Sequence, residues 1–160
     1  MRRILYTMHF KGRTSRVFPD SPLLRTIGSA TSCVVSTLIR GSGVETSLKA
    51  SEGDLAFLDS ELIVTGPDSY REDGTITFGD TCGDDDSLNV LRFSTLGEGH
   101  FSTSIEPGTM AGSASWKVDG GAGRFAAARG FITSNFTLNE RGELSDFHCG
   151  LIFVPEELSG

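Results

Sequence analysis

Trp116-Lys117-Val118-Asp119-Gly120-Gly121-Ala122-Gly123-Arg124-Phe125-Ala126-Ala127-Ala128-Arg129-Gly130-Phe131-Ile132-Thr133-Ser134-Asn135 is the stretch whose reading decides the fold class. Ala114, Trp116 and Val118 alternate with Ser115 and Lys117, the run breaks at Gly120, Gly121 and Gly123, and a second alternation opens at Phe131. Period two on both sides of a glycine cluster predicts strand, corner, strand. Glycines gather where the backbone needs positive φ or where a neighbouring segment leaves no room for a Cβ. Phe125 is placed to plug such a corner, and Ala126, Ala127 and Ala128 let the chain pass close to a neighbour.

The same pattern extends in both directions. Ile4, Tyr6, Met8 and Phe10 alternate loosely with polar partners, Ala30 to Arg40 is β-branched and alternating, and Gly41-Ser42-Gly43 turns it back through Val44 to Ala50. Further strands are predicted over 55–65, 75–78, 88–96, 110–118, 131–138 and 144–154, the last two joined by Asn139-Glu140-Arg141-Gly142. The stretch from Arg13 to Arg25, with two prolines, serines and Asp20, is expected to be a loop that caps or covers one end of the domain. Apolar spacing at 3.6 residues persists nowhere long enough for an amphipathic helix. About nine strands joined by short turns imply an up-and-down meander, and a meander this long hides its edges most simply by closing. The expectation is one all-β domain over residues 1–160, a single closed antiparallel barrel of about eight strands with a central apolar cavity.

The run Gly120-Gly121-Ala122-Gly123-Arg124-Phe125 through Ala128-Arg129-Gly130 resembles the Gly-Gly-x-Gly-x-Phe-x-x-Ala-x-Gly corner of plant dirigent proteins and allene oxide cyclases. The resemblance covers the last third of the chain and implies an eight-stranded antiparallel barrel around a hydrophobic cavity. It carries over no functional residues, since the cavity positions of that family do not align here.

Composition narrows the partners. A net charge of −7 with scattered arginines lacks the basic footprint that phosphate binding needs, so no nucleic-acid partner is expected. No run approaches the ~20 apolar residues of a spanning helix, and no membrane partner is expected. Tyr6, Thr7 and His9 interrupt the short apolar opening, which reads as a first strand rather than a secretory signal. Three cysteines, Cys33, Cys82 and Cys149, without metal-ligand spacing point to a reducing cytoplasm and to no metal site. Much of the negative charge sits in Asp84-Asp85-Asp86 and in the carboxylates near the C-terminus.

No nucleophile elbow, phosphate loop, His-Glu-x-x-His or Cys-x-x-Cys is present, and no cofactor is expected; the glycines of the corner precede no helix, so they are no dinucleotide fingerprint. The candidate catalytic residues are polar groups set into apolar strands. Asp59 and Glu61 leave one face of a strand between Phe57 and Ile63. In a lumen they would repel and lose solvent, raising a pKa; on the outer face they are ordinary solvated charges, the arrangement that half-exposed sheets favour. Asp146 and His148 repeat the spacing, but the apolar face of Phe147, Cys149, Leu151 and Phe153 is expected to look inward, which places the pair outside. Arg92 is read either as a stabiliser of an enolate or carboxylate or as a surface arginine lying on its stem. Tyr6, Phe57, Trp116, Phe131 and Asn135 complete the set as candidate ligand-lining residues.

A barrel of this kind is expected to act as a small-molecule isomerase or cyclase of specialised metabolism. It would fold an apolar, polyene or polyketide-like substrate into reacting geometry, a contribution that requires few catalytic groups. The alternative is a non-catalytic carrier or sensor of a hydrophobic ligand; a third reading has the barrel filled by side chains and its outer surface mated to a protein. Strands with apolar residues on both faces, as in 55–64, call for an exterior cover, so a homodimer or homotrimer is expected.

Overall fold

The computed structural model describes residues 1–79 and 88–156. Cys82, the Asp84-Asp85-Asp86 run and Glu157 lie outside the described residues. Among the described residues eleven strands form: β1 (Arg2–Arg16), β2 (Leu23–Ala30), β3 (Cys33–Arg40), β4 (Gly43–Ala50), β5 (Ala56–Val64), β6 (Ser69–Phe78), β7 (Asn89–Thr95), β8 (Gly99–Thr103), β9 (Thr109–Ala122), β10 (Arg129–Asn139) and β11 (Glu143–Val154). A single turn of 3₁₀ helix, Gly123–Phe125, interrupts them. No helix of the described residues is long and apolar enough to cross a membrane.

Eight strands close an antiparallel barrel in the order β1-β2-β5-β6-β7-β9-β10-β11, with β11 pairing back onto β1 from Arg2↔Val154 to Arg13↔Glu143. This is the expected up-and-down meander with two excursions. β8 adds to β9 and touches β6, while β3 and β4 form a separate two-stranded hairpin between β2 and β5.

Two stretches differ from expectation. The predicted capping loop over 13–25 is mostly ladder: Lys11–Arg16 pair with Leu24–Ser29, and the connection narrows to Val17–Pro22. Both prolines fall in that connection, where no ladder hydrogen bond is lost. β6 begins at Ser69 rather than Thr75, because its charged first half is paired to β5 all the way to Val64↔Tyr70.

Even-numbered residues face inward on every barrel strand except β7, where Leu91 and Phe93 do so. Phe10, Tyr70, Ile76, Leu91, Trp116 and Ile132 have 0 % exposure, so no water-sized space touches them. At their level, the hollow expected along the axis is occupied by side chains. Trp116 stacks on Phe93 with ring centroids 3.9 Å apart.

The glycine corner works by close approach. A Cβ on Gly121 would overlap the Val90 carbonyl oxygen, where β9 crosses β7 beside a register shift between Leu91 and Phe93. Gly123, at φ +58°, opens the 3₁₀ turn, and Asn89 Oδ1 accepts the Arg124 N–H at 3.0 Å. Phe125 then lies over Phe78, centroids 5.0 Å apart, as the plug of the corner. Gly121→Ala is expected to destabilise the protein by roughly 2–4 kcal/mol, since backbone and not a side chain must move. Gly41→Ala, whose Cβ would meet nothing within 4 Å, is expected to change stability by less than about 0.5 kcal/mol. Denaturant unfolding of the two variants checks the difference.

Candidate functional site

The inward parity sorts the candidates. Asp59, Glu61 and Arg92 point outward and are exposed. Asp59 takes a two-pronged hydrogen bond from Arg25, at 3.0 and 2.8 Å, which holds its carboxyl below the usual range, and such a surface pair contributes little stability. Phe57, Phe131 and Asn135 also lie on the outer face. Tyr6 and Trp116 are inside. The Asp146-His148 pair, expected outside, is buried in the barrel, and Phe147, Cys149, Leu151 and Phe153 face outward instead. The stronger apolar face of β11 thus looks the wrong way for a simple alternation rule, because on this strand the inner face carries a hydrogen-bonded polar network.

That network is continuous. The Ser134 hydroxyl donates to Asp146, 2.8 Å from Oδ1 and 2.9 Å from Oδ2, and His148 Nε2 lies 2.9 Å from Asp146 Oδ2. With Asp146 accepting the Nε2–H, the other ring nitrogen is left to accept, and Tyr6 donates its hydroxyl to Nδ1 at 3.2 Å. Register explains the assembly: Met8, His148, Ser134 and Ala114 form one cross-strand row, with Asp146 and Tyr6 in the rows on either side. Phe10 and Trp116 pack on the imidazole, each with centroids 4.7 Å away, the latter edge-on. Burial, reinforced by Asp146, raises the Tyr6 pKa well above that of a free phenol, so Tyr6 stays a neutral hydroxyl.

Sequence reading missed Glu72. It shares the inner face of β6 with Tyr70 and Ile76, and the Ser60 hydroxyl donates to Oε1 at 2.6 Å. Its main chain is clamped by Thr95, whose Oγ1 accepts from the Glu72 N–H and donates to its carbonyl, both at 2.8 Å. Burial pushes its pKa up to about 8, against the opposing effect of the Ser60 hydrogen bond, with Asp146 adding to the rise. Glu72 and Asp146 line one small cavity of about 20 Å³, room for a single water. The available signal was parity: Tyr70, Glu72 and Ile76 alternate with Arg71 and Asp73, but four charges in 66–73 read as loop.

A ligand-sized space lies at the corner end of the barrel. A pocket of about 250 Å³ is lined mostly by apolar side chains, among them Ile4, Met8, Phe78 and Phe125, with Tyr6, Thr7, Ser32 and Cys33. It sits where β1 and β2 part: β2 pairs with β1 only from Lys11 onward, with one further bridge at Met8↔Ser32. Tyr6 therefore stands in the wall of this pocket with its hydroxyl bonded to His148. Among the described residues no group of three or more His, Cys, Asp or Glu side chains could hold a metal ion. Comparisons with protein-family models, with curated proteins and with solved structures find no match to this chain.

The buried carboxyl fixes a pH dependence. Glu72 binds its proton more tightly folded than unfolded, so its contribution is full below the unfolded value of about 4.5 and is lost as pH rises through about 8. Each unit of that difference corresponds to about 1.4 kcal/mol. Glu72→Gln, which keeps the shape without the ionisation, is expected to flatten the fall in Tm between pH 5 and 8 and to be the more stable form at pH 8.5. Thermal unfolding across that range checks it.

Proposed function

We propose that the protein is a small-molecule isomerase or cyclase of specialised metabolism. Its apolar substrate, polyene or polyketide-like, sits in the corner-end pocket against Tyr6. The observation that carries this reading is a neutral phenol set in a mostly apolar wall and backed by an imidazole and a carboxyl. Such a hydroxyl passes its own proton to His148 Nδ1 as it takes one from a substrate carbon. Nδ1 then gives that proton back as the hydroxyl delivers one to another atom of the same substrate, so the isomerisation is proton-neutral overall. Asp146, held by Ser134, orients the imidazole and offsets charge that develops on it. The walls supply the rest by restraining a flexible substrate and excluding water. The likeness of the Gly120 to Gly130 corner to that of allene oxide cyclases and dirigent proteins agrees with this chemistry, and the odd cysteine count agrees with a reducing cytoplasm.

A carrier or sensor of a hydrophobic ligand is the second reading, favoured by one observation: the polar network is satisfied within itself and makes no demand on a ligand. Turnover separates the two. Incubated with candidate polyenes and polyketides, the wild type is expected to convert one of them, and Tyr6→Phe to lower kcat by on the order of 10²-fold while binding is retained. Binding can be followed by the fluorescence of Trp116, the one tryptophan of the chain. Binding without conversion across the panel would establish the carrier.

A further inference from the structure

The β3–β4 hairpin presents an uncovered apolar face. Its register pairs Cys33 with Ala50, Val35 with Leu48, Thr37 with Thr46 and Ile39 with Val44, and directly opposed residues share a face. One side of the ribbon is therefore entirely apolar or threonine. The other side pairs Val34 with Lys49, Ser36 with Ser47, Leu38 with Glu45 and Arg40 with Gly43, so it is mixed, and its two apolar residues, Val34 and Leu38, each face a charged one. Of the apolar side, only Cys33 is buried at the barrel; Ile39 is 78 % exposed, Val44 66 % and Leu48 45 %. A two-stranded ribbon is marginal in water without something against its apolar face.

The barrel wall beside the hairpin is apolar as well. Leu5, Leu151 and Phe131 form one outward cross-strand row over β1, β11 and β10, and Leu5 and Phe131 are 78 % and 57 % exposed. Leu5 and Cys33 border the same corner-end pocket, which puts the row next to the root of the hairpin.

Area selects the occupant. At ~3.3 Å per residue and ~4.8 Å between strands, each face of this ribbon is on the order of 250 Å². Laid once on another protein it buries roughly 500 Å² in total, half of the ~1,000 Å² that a specific interface needs. A two-fold exchange applies the same contact twice and reaches roughly 1,000 Å². We propose that the protein is a homodimer in which each hairpin lays its Val35-Ile39-Val44-Leu48 face over the Leu5-Leu151-Phe131 row of a second copy. This proposal is independent of the catalytic reading and goes beyond it.

Adjacent residues on opposite faces make the test. Sedimentation velocity of the full chain is expected to show a dimer at about 50 μM and a shift toward monomer on dilution, as for an interface near the lower size limit. Ile39→Asp and Phe131→Asp are each expected to give monomer at all concentrations, and Leu38→Asp, on the opposite, mixed face, to leave the dimer intact. Circular dichroism reports whether the barrel survives each change. Hydrogen exchange of the unaltered chain supplies a second measurement, with protection of 33–50 rising with concentration. A wild type monomeric at 200 μM, a trimer, an Ile39→Asp dimer, equal effects of Ile39→Asp and Leu38→Asp, or concentration-independent exchange over 33–50 would each overturn the proposal.

Discussion

Closure of β11 onto β1 is the constraint on which the rest of the molecule depends. Twelve consecutive positions pair the last strand with the first, so each finds backbone partners that an open sheet would have left to solvent. Closure also gives every strand an inside and an outside, and a shift of one residue anywhere would exchange the two. Tyr6, His148 and Asp146 are inside because of that register and for no local reason. The β1–β11 ladder sets His148 opposite Met8 and Asp146 opposite Phe10, and the β10–β11 ladder then brings Ser134 to the same row.

Burying this much polarity in so small a barrel has a cost that the network offsets internally. A buried hydroxyl, imidazole or carboxyl is stabilising only when its partners are present, and removing one leaves the others stranded. The Ser134-Asp146-His148-Tyr6 chain meets that condition with four hydrogen-bonded groups in series. Glu72 meets it differently, by keeping its proton. An interior of aromatic and aliphatic side chains would be simpler to pack, so the polar row is the part of the core that packing alone does not explain.

The legible parts of the sequence were those where one physical rule governs alone. Around Trp116 and Phe131, alternation and glycine clustering agree, and the strands and corner form where they point. Asp59 and Glu61 also fall on the solvated face that a half-exposed sheet favours. The rule fails where two faces are both mixed. On β11 the outer side carries Phe147, Leu151 and Phe153, more apolar than the inner side, because the inner side trades hydrophobicity for the network around His148. On β6 charge density disguised a strand, and Glu72 was hidden with it. The hairpin was legible as a hairpin but not as an excursion, since nothing local to 33–50 distinguishes a ribbon in the barrel from one outside it.

By itself, the order of residues determined the class of structure: strands, short turns and a built glycine corner, with no α-helix among the described residues. These follow from side-chain period and backbone freedom, properties that act over a few residues. Only the tertiary structure decided which parity is interior, which strands leave the barrel, and which polar groups meet. Those outcomes depend on pairing between positions up to 152 apart in the chain, such as Arg2 with Val154, and no local preference encodes such a pairing.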